Sequence, residues 1–350
     1  MISGVFKEDL EQIASTSHLP WQKMRDSTVF VTGATGAVGS MLIRALSYAS
    51  CKHDLRLRLI AHGRDDAKGD AIAKDWGAEF IKGDIRSTAL TEVVPRGVDY
   101  IFHCAAMTSS SDMVSKSVDV IMTAIDGMRN VLELARLKNP KSVICLSSME
   151  VYGQTDIKEI SESNLGYLDL SSLRSSYPES KRFSEIMCTC YAASYGIPVK
   201  IARLSRIFGA GTPKDDSDMR VAMQFARKAM CFENIELHTA GASISNCCYT
   251  SDAILGLLTI LLKGQIGETY NIANPEASMT VRQMAELVAS EVCSGKIKVV
   301  VNVPSDVQKR GYAPDVGYIL NVDKLKALGW IPRYGLADMY RRMIDDWKEK

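Results

Sequence analysis

Thr28-Val29-Phe30-Val31-Thr32-Gly33-Ala34-Thr35-Gly36-Ala37-Val38-Gly39 is the stretch on which the fold turns. Thr28 to Val31 reads as a short buried strand, and Met41 to Ala49 as the helix that follows. Between them lies G-x-x-G-x-x-G, in which each glycine has a separate physical task. Gly33 permits a tight turn, Gly36 lets a ligand approach the backbone, and Gly39 allows the helix to lie close on the strand. The peptide groups of Thr35, Ala37 and Val38 then offer N–H donors at the positive end of the helix dipole, a place suited to a diphosphate. A glycine triplet is a weak signal by itself. It becomes strong as the first strand-to-helix turn of an alternating α/β chain.

Working outward, that alternation is present. Strands read at Leu55 to Ala61, Ala78 to Ile81, Tyr100 to Ala105, Ser142 to Leu146 and Val199 to Leu204. Helices read at Asp65 to Trp76, Val114 to Leu137 and Tyr177 to Ser194. Apolar, β-branched strands between helices imply a doubly wound parallel sheet covered on both faces. Before it, residues 1–27 form a helical leader, with helical character at Glu8 to Ile13 and an anchor at Pro20-Trp21. Residues 28–205 form the dinucleotide-binding part with the catalytic groups. Residues 206–350 form a smaller substrate-binding lobe, some of whose segments return to the sheet. Within it we expect a polar loop at Pro213 to Asp218, a strand near Ile235 to His238, and helices at Met219 to Met230, Asp252 to Leu262, Val281 to Val292 and Leu336 to Trp347.

Composition narrows the classes. The chain has 350 residues, 46% of them apolar, enough for a large core. Its 41 acidic and 42 basic residues nearly cancel and form no block, which argues against nucleic-acid or membrane partners. The nine cysteines are odd in number and lack C-x-x-C spacing, so we expect free thiols, no metal and a reducing compartment. The polar start has no apolar signal segment, and Ala253 to Leu262 is too short to span a bilayer. The expected location is cytoplasmic.

The chemistry gathers around Tyr177-Pro178-Glu179-Ser180-Lys181. Four-residue spacing puts Tyr177 and Lys181 on one helix face. A phenol of pKa near ~10 is a poor base, but a nearby ammonium favours the phenolate, so Tyr177 can take a hydroxyl proton while hydride leaves the same carbon. Ser148, at the carboxyl end of a sheet strand, can hydrogen-bond the developing carbonyl, while its neighbour Ser147 is read as capping the turn. Asp84, with Ile85, follows another strand where a carboxylate can meet an adenine amino group. Ala105 and Ala106 end a third, small enough for backbone to lie against a cofactor. The second strand runs into His62-Gly63-Arg64, so Arg64 either embraces a 2′-phosphate or stacks on adenine.

Gly33/Gly36/Gly39, Ser148-x-x-Val151-Tyr152-Gly153 and Tyr177-x-x-x-Lys181 together resemble the NAD-dependent epimerase/dehydratase family, extended short-chain dehydrogenases acting on nucleotide sugars. Arg203 with Phe208-Gly209, Tyr249-Thr250-Ser251-Asp252, Tyr270-Asn271-Ile272-Ala273 and Leu328-Gly329-Trp330 match it further, so that the resemblance runs from residue 28 to the end. It implies a Rossmann-like fold and C4 chemistry: Ser148 on the substrate hydroxyl, Tyr177 as acid/base, and Lys181 on the cofactor ribose. Sugar dehydratases of the family carry an Asp-Glu pair where this chain has Met149-Glu150, which disfavours 4,6-dehydration. Decarboxylating members keep Glu without Asp, so Glu150 is either a catalytic group or a structural carboxylate. An arginine usual to the family is replaced by Ser245-Asn246, an asparagine by Arg206, and another asparagine by Ala124. Arg206 is then either a substitute charge for a substrate phosphate or carboxylate, or a structural arginine. Thr108, Arg206 and Ser245 are the expected substrate contacts.

The favoured reading is redox-neutral 4-epimerisation of a nucleotide-activated sugar, with uronate decarboxylation as runner-up. A NADPH-dependent carbonyl or keto-sugar reductase and a dinucleotide-sensing regulator are the further alternatives. An enzyme that regenerates its own cofactor points to NAD, and Arg64 leaves NADP open. A homodimer is implied by the resemblance, through the helices near 114–137 and 177–194, with Met122, Ile125 and Met187 on its surface.

Overall fold

The computed structural model describes residues 2–214, 220–303 and 315–349. Its centre is a seven-stranded sheet in the order Thr269–Ile272, Val199–Leu204, Ser142–Ser148, Tyr100–His103, Thr28–Thr32, Arg58–Gly63, Glu79–Lys82, all pairs parallel. The strand order reverses between Thr28–Thr32 and Tyr100–His103, the switch point at which such sheets open a crevice. Side chains alternate between two cores. Val29 and Val31 face a core shared with the helices Ala37–His53 and Thr250–Lys263, while Phe30 faces one shared with Val131 and Leu132 of the helix Ser117–Lys138. With both faces buried, the strands read as near-continuous apolar runs.

Several boundaries differ from the sequence reading for local reasons. The second strand starts at Arg58 rather than Leu55, because Asp54 and Arg56 adopt left-handed backbone (φ 49° and 51°). The helix expected at 114–137 is broken at Lys116 into Asp112–Ser115 and Ser117–Lys138. The helix expected from Val281 is α-helical to Leu287 and ends in a π turn at Val288–Val292. Part of the expected loop at 213–218, and the first residue of the helix expected from Met219, lie outside the described residues; the helix is seen over Val221–Met230.

Residues beyond 206 do two things. Thr269–Ile272 becomes the edge strand of the main sheet. A second sheet pairs Ile244–Tyr249 antiparallel with Asn274–Thr280 and parallel with Arg206–Phe208, which begins just after the carboxyl end of the main strand Val199–Leu204. The leader is part of the core. Ser3 caps the helix Gly4–Ala14, whose Phe6, Leu10 and Ile13 are buried in the first core. Trp21 stacks on His53 with centroids 5.6 Å apart.

Candidate active site

The glycine turn is built as its spacing required. Gly33 has φ +63°, and a Cβ there would lie 2.7 Å from the Ala105 backbone. A Cβ on Gly39 would come within 2.3 Å of the Gly33 carbonyl oxygen, so that only glycine lets the helix sit on the turn. Gly36 is exposed and begins the helix without a side-chain cap, and no acidic residue lies in the first turn. The first-turn N–H groups are left to a ligand, and an anionic diphosphate fits them. Thr32 fixes the neighbouring strand end: its hydroxyl pairs with His103 Nδ1 at 2.9 Å and accepts from the Ala105 N–H at 3.3 Å. Burial depresses the His103 pKa to about 3, so that ring is neutral. Ala105 and Ala106 therefore stand beside the turn, half-buried.

Ser148, Tyr177 and Lys181 converge at the end of the central strand Ser142–Ser148. The helix Ser176–Tyr195 brings up Tyr177 and Lys181, both buried. Ser148 is close enough to the phenol to act on its proton affinity, and its hydroxyl accepts from the Glu150 N–H at 3.2 Å. Lys181 donates to the Leu146 carbonyl at 2.8 Å, with Nζ 5.9 Å from the Tyr177 ring centroid. The expectation that the ammonium depresses the phenol's pKa is not met in this state. Burial first, and then the charge of Glu150, push Tyr177 up to about 12, against the smaller opposing effects of Ser148, Arg220 and Arg174. Burial also lowers Lys181, since desolvation disfavours its charged form.

Glu150 is held by a partner that sequence reasoning missed. Arg174, in the Leu173–Ser175 turn just before the catalytic helix, pairs with it at 3.0 Å and also donates to the Met113 sulfur. Behind Lys181, a second missed group spans three elements. Glu185, one helical turn on, accepts from Ser147 at 2.5 Å and from Arg203 at 2.6 and 2.9 Å. Ser147 thus binds a side chain rather than capping the turn, whereas Ser148 both caps and faces Tyr177. The signal available was helical spacing from Lys181 to Glu185, and nothing local linked it to Arg203.

The remaining expected residues divide. Arg206 lies opposite Cys247 in the lobe sheet, with its Nη1 buried and without a hydrogen-bond partner; its charge is felt by Tyr318, as is that of Glu150. Ser245 is fully buried and its hydroxyl pairs with the Cys247 sulfur at 3.3 Å, so it presents nothing to a substrate here. Thr108 is exposed on the loop after Ala106. Ala124 is buried. Asp84 is engaged by Arg86 at 2.9 Å, Ile85 is buried, and Arg64 is exposed. All nine cysteines are free thiols. Among the described residues no group of side chains is arranged to hold a metal, and no helix is long and apolar enough to cross a membrane.

Comparison with known proteins agrees with this fold. The sequence model of the NAD dependent epimerase/dehydratase family matches residues 29–273. UDP-glucuronic acid decarboxylase 6 of Arabidopsis thaliana is 29% identical over 324 residues, 91% of this chain and 88% of its own. UDP-glucose 4-epimerase of Thermotoga maritima superposes with a TM-score of 0.77 at 21% identity, over 92% of this chain and 99% of that one. dTDP-glucose 4,6-dehydratase of Streptomyces venezuelae, solved with NAD bound, gives 0.76 at 24% identity, over 92% and 97%.

Proposed function

The chain belongs to the NAD dependent epimerase/dehydratase family, and on that premise we propose that it oxidises C4 of a nucleotide-activated uronic acid, releases the C5 carboxyl as carbon dioxide, and re-reduces C4. A nicotinamide dinucleotide bound at the Gly33–Gly39 turn supplies the hydride acceptor and donor. Tyr177 takes the C4 hydroxyl proton and returns it, Ser148 holds the same oxygen, and Lys181 fixes the cofactor ribose side of the site. A 4-keto uronate is a β-keto acid. As its C5–carboxyl bond breaks, the electron pair moves toward the C4 oxygen, to which Tyr177 donates, and C5 then takes a proton.

The observation that carries this reading is Glu150, ion-paired to Arg174 at 3.0 Å and acting electrostatically on Tyr177, with Met149 in place of a dehydratase acid. A carboxylate beside the substrate's own carboxylate favours departure as a neutral gas, because the like-charge repulsion leaves with it. Arg206, partly buried and with an unpartnered Nη1, supplies a charge for the substrate diphosphate. The similarity to UDP-glucuronic acid decarboxylases supports the choice and moves the emphasis away from simple epimerisation.

A second reading is 4-epimerisation, which calls on the same Ser148, Tyr177 and Lys181 and makes no use of Glu150. Incubation with a panel of UDP-, CDP-, GDP- and dTDP-sugars that includes uronates separates the two. Loss of carbon dioxide by mass supports decarboxylation, an unchanged mass with altered stereochemistry supports epimerisation, and no conversion of any sugar removes both.

The same reading places a second copy of the chain on the adjoining helices Ser117–Lys138 and Ser176–Tyr195. Val118, Met122, Phe183 and Ile186 are exposed there, while Ile125 and Met187 are half-buried. Light scattering on the purified protein tests it by giving the mass of a dimer or a monomer.

A further inference from the structure

The strand Arg206–Phe208 runs into the loop Gly209–Thr212, and part of this loop is held from outside the lobe. Its glycines have conformational freedom to lose: Gly209 and Gly211 adopt φ +149° and +84°. The lobe fixes Ala210, whose N–H donates to the Tyr249 hydroxyl at 3.4 Å and whose carbonyl accepts from Thr250 at 3.1 Å. The next two residues are fixed by the last helix, Leu336–Lys348. The Gly211 N–H donates to Asp346 at 2.8 Å, and the Trp347 indole donates to the Thr212 carbonyl at 2.8 Å. Resting on the reading of an anionic nucleotide-sugar substrate above, we propose that Asp346 is a positioning residue for that substrate. It bridges the leader to the loop and so sets the spacing of Arg206 and Arg220, which flank the site.

Asp346 is without solvent, and its two carboxylate oxygens are divided between two elements. One accepts from the Ser3 hydroxyl at 2.5 Å, the other from the Gly211 N–H. Ser3 is itself the cap of the leader helix Gly4–Ala14, accepting from the Phe6 N–H at 3.1 Å. One carboxylate thus ties the first turn of the leader to the loop. The loop is also pinched from that side. A Cβ on Gly211 would lie 2.7 Å from the Phe6 ring and 2.6 Å from the sulfur of Met41, on the helix that leaves the glycine turn. Arg44, on the same helix, lies over the Phe6 ring at 5.4 Å and feels the charge of Asp346. A buried carboxylate with two donors in hand and a guanidinium nearby holds one geometry.

What the loop positions is charge. Arg206 begins the strand before it, and Arg220 caps the helix Val221–Met230 after it. The charge of Arg206 is felt by Tyr318 and that of Arg220 by Tyr177. Tyr318 in turn donates to the carbonyl of Met149, the residue after Ser148, at 3.3 Å. A nucleotide-activated uronate brings a diphosphate and a carboxylate to this pair of cations. Guanidinium groups read such anions through directional hydrogen bonds, which a displacement of about 1 Å weakens. The leader, outside the residues 29–273 that the family model matches, gains a part in substrate affinity by this route.

Steady-state kinetics with UDP-glucuronate on the purified protein and on Asp346→Ala test the bridge. The expected result is a KM raised roughly 10- to 100-fold with kcat little changed, the worth of one or two charge-assisted hydrogen bonds weakened in ground and transition states alike. Calorimetric titration with NAD should give the wild-type affinity, which also shows that the variant is folded. Ser3→Ala cuts the same bridge more mildly and should raise KM about 2- to 10-fold, so it carries the test if Asp346→Ala does not fold. Asp346→Asn, which keeps an acceptor for Gly211 and a polar partner for Ser3, should recover most of the loss. As a control, Asp9→Ala removes the 2.8 Å pair with Arg342 in the same seam but none of the loop's hydrogen bonds given above, and should leave KM as it was. An unchanged KM in the bridge variants overturns the proposal. So does an equal rise in Asp9→Ala, which would reduce the bridge to general stability. Wild-type protein that leaves UDP-glucuronate unconverted would instead take down the substrate reading, and the positioning role with it.

Discussion

Two buried tyrosines, one in each half of the molecule, show what separates a strut from a base. Tyr177 and Tyr249 are both almost without solvent, both lie near a cation, and both have their phenols pushed up chiefly by burial. Tyr249 is locked. It donates to Asp9 at 2.7 Å, accepts from Arg342 at 3.2 Å, and lies 4.5 Å from the Tyr334 ring. That cluster ties the leader helix and the last helix, Leu336–Lys348, to the lobe. Tyr177 has the Ser148 hydroxyl and an ammonium that faces its ring but bonds elsewhere. A phenol whose valences are all used transmits no protons, while one with a spare lone pair at the mouth of the sheet is free to.

The comparison breaks most visibly at Tyr177 itself. Tyr177→Phe removes one oxygen from an unlocked position, so turnover should fall by roughly 100- to 10,000-fold, the usual range for a general acid–base. Thermal stability and dinucleotide affinity should hold. Turnover near the wild-type level in a correctly folded Tyr177→Phe protein would remove the proposed mechanism.

On the other side, Asp9→Ala should cost about 3 kcal/mol of stability, toward the low end for breaking a buried charge pair. It falls there because Glu8 still pairs with Arg342 at 3.2 Å. Asp9 also carries a pH signature. Burial raises its pKa from 3.8 to about 6, so the folded state binds its proton more readily than the unfolded chain does. The ionised form is therefore the penalised one, and this group makes the fold more stable as pH falls from about 6 toward 3.8. Asp252, likewise raised to about 6, acts in the same sense. Chemical denaturation across that window should show the gain shrink in Asp9→Asn.

Tyr249→Phe sharpens the contrast at a smaller scale. It leaves Asp9 and Arg342 in place but short of one hydrogen bond, at a cost of about 1–3 kcal/mol. Activity per folded molecule should be unchanged, which an active-site titration alongside the melting curve would establish. A drop in turnover comparable to that of Tyr177→Phe would mean that the two tyrosines are not different in kind.

The same division marks what could be read from the chain alone. Parallel strands buried on both faces and a glycine turn with separate steric tasks are local patterns, and so is the face shared by Tyr177 and Lys181; these were legible and reappear in place. What was not legible depends on side chains meeting across the fold. Asp9 and Tyr249 are 240 positions apart, and nothing in Glu8 to Ile13 distinguishes a buried aspartate from a surface one. Arg174 reaches Glu150 only because a 3₁₀ turn precedes the catalytic helix, and Glu185 meets Arg203 only because two sheet neighbours align Ser147 with Arg203. The strand Asn274–Thr280 was missed because Pro275, Glu276 and Ser278 give it no apolar alternation. Ser245 looked like a substrate contact because its strand position was right, but its side chain turns into the lobe.

The smallest effect tests how Glu150 works. Its carboxylate raises the Tyr177 pKa by repelling the phenolate charge, so Glu150→Gln should lower that pKa. Arg174, freed from its partner, would push in the same direction. Because Tyr177 must be deprotonated to accept the C4 proton, the rising limb of kcat/KM against pH should move to lower pH, by about one unit or less for a neighbouring charge that is partly screened. The readout is the pH profile of substrate oxidation alone, which does not require the later loss of the carboxyl. A limb that stays put would make Glu150 a purely structural partner of Arg174, and a limb that moves upward would reverse the sign of the coupling on which the comparison of the two tyrosines depends.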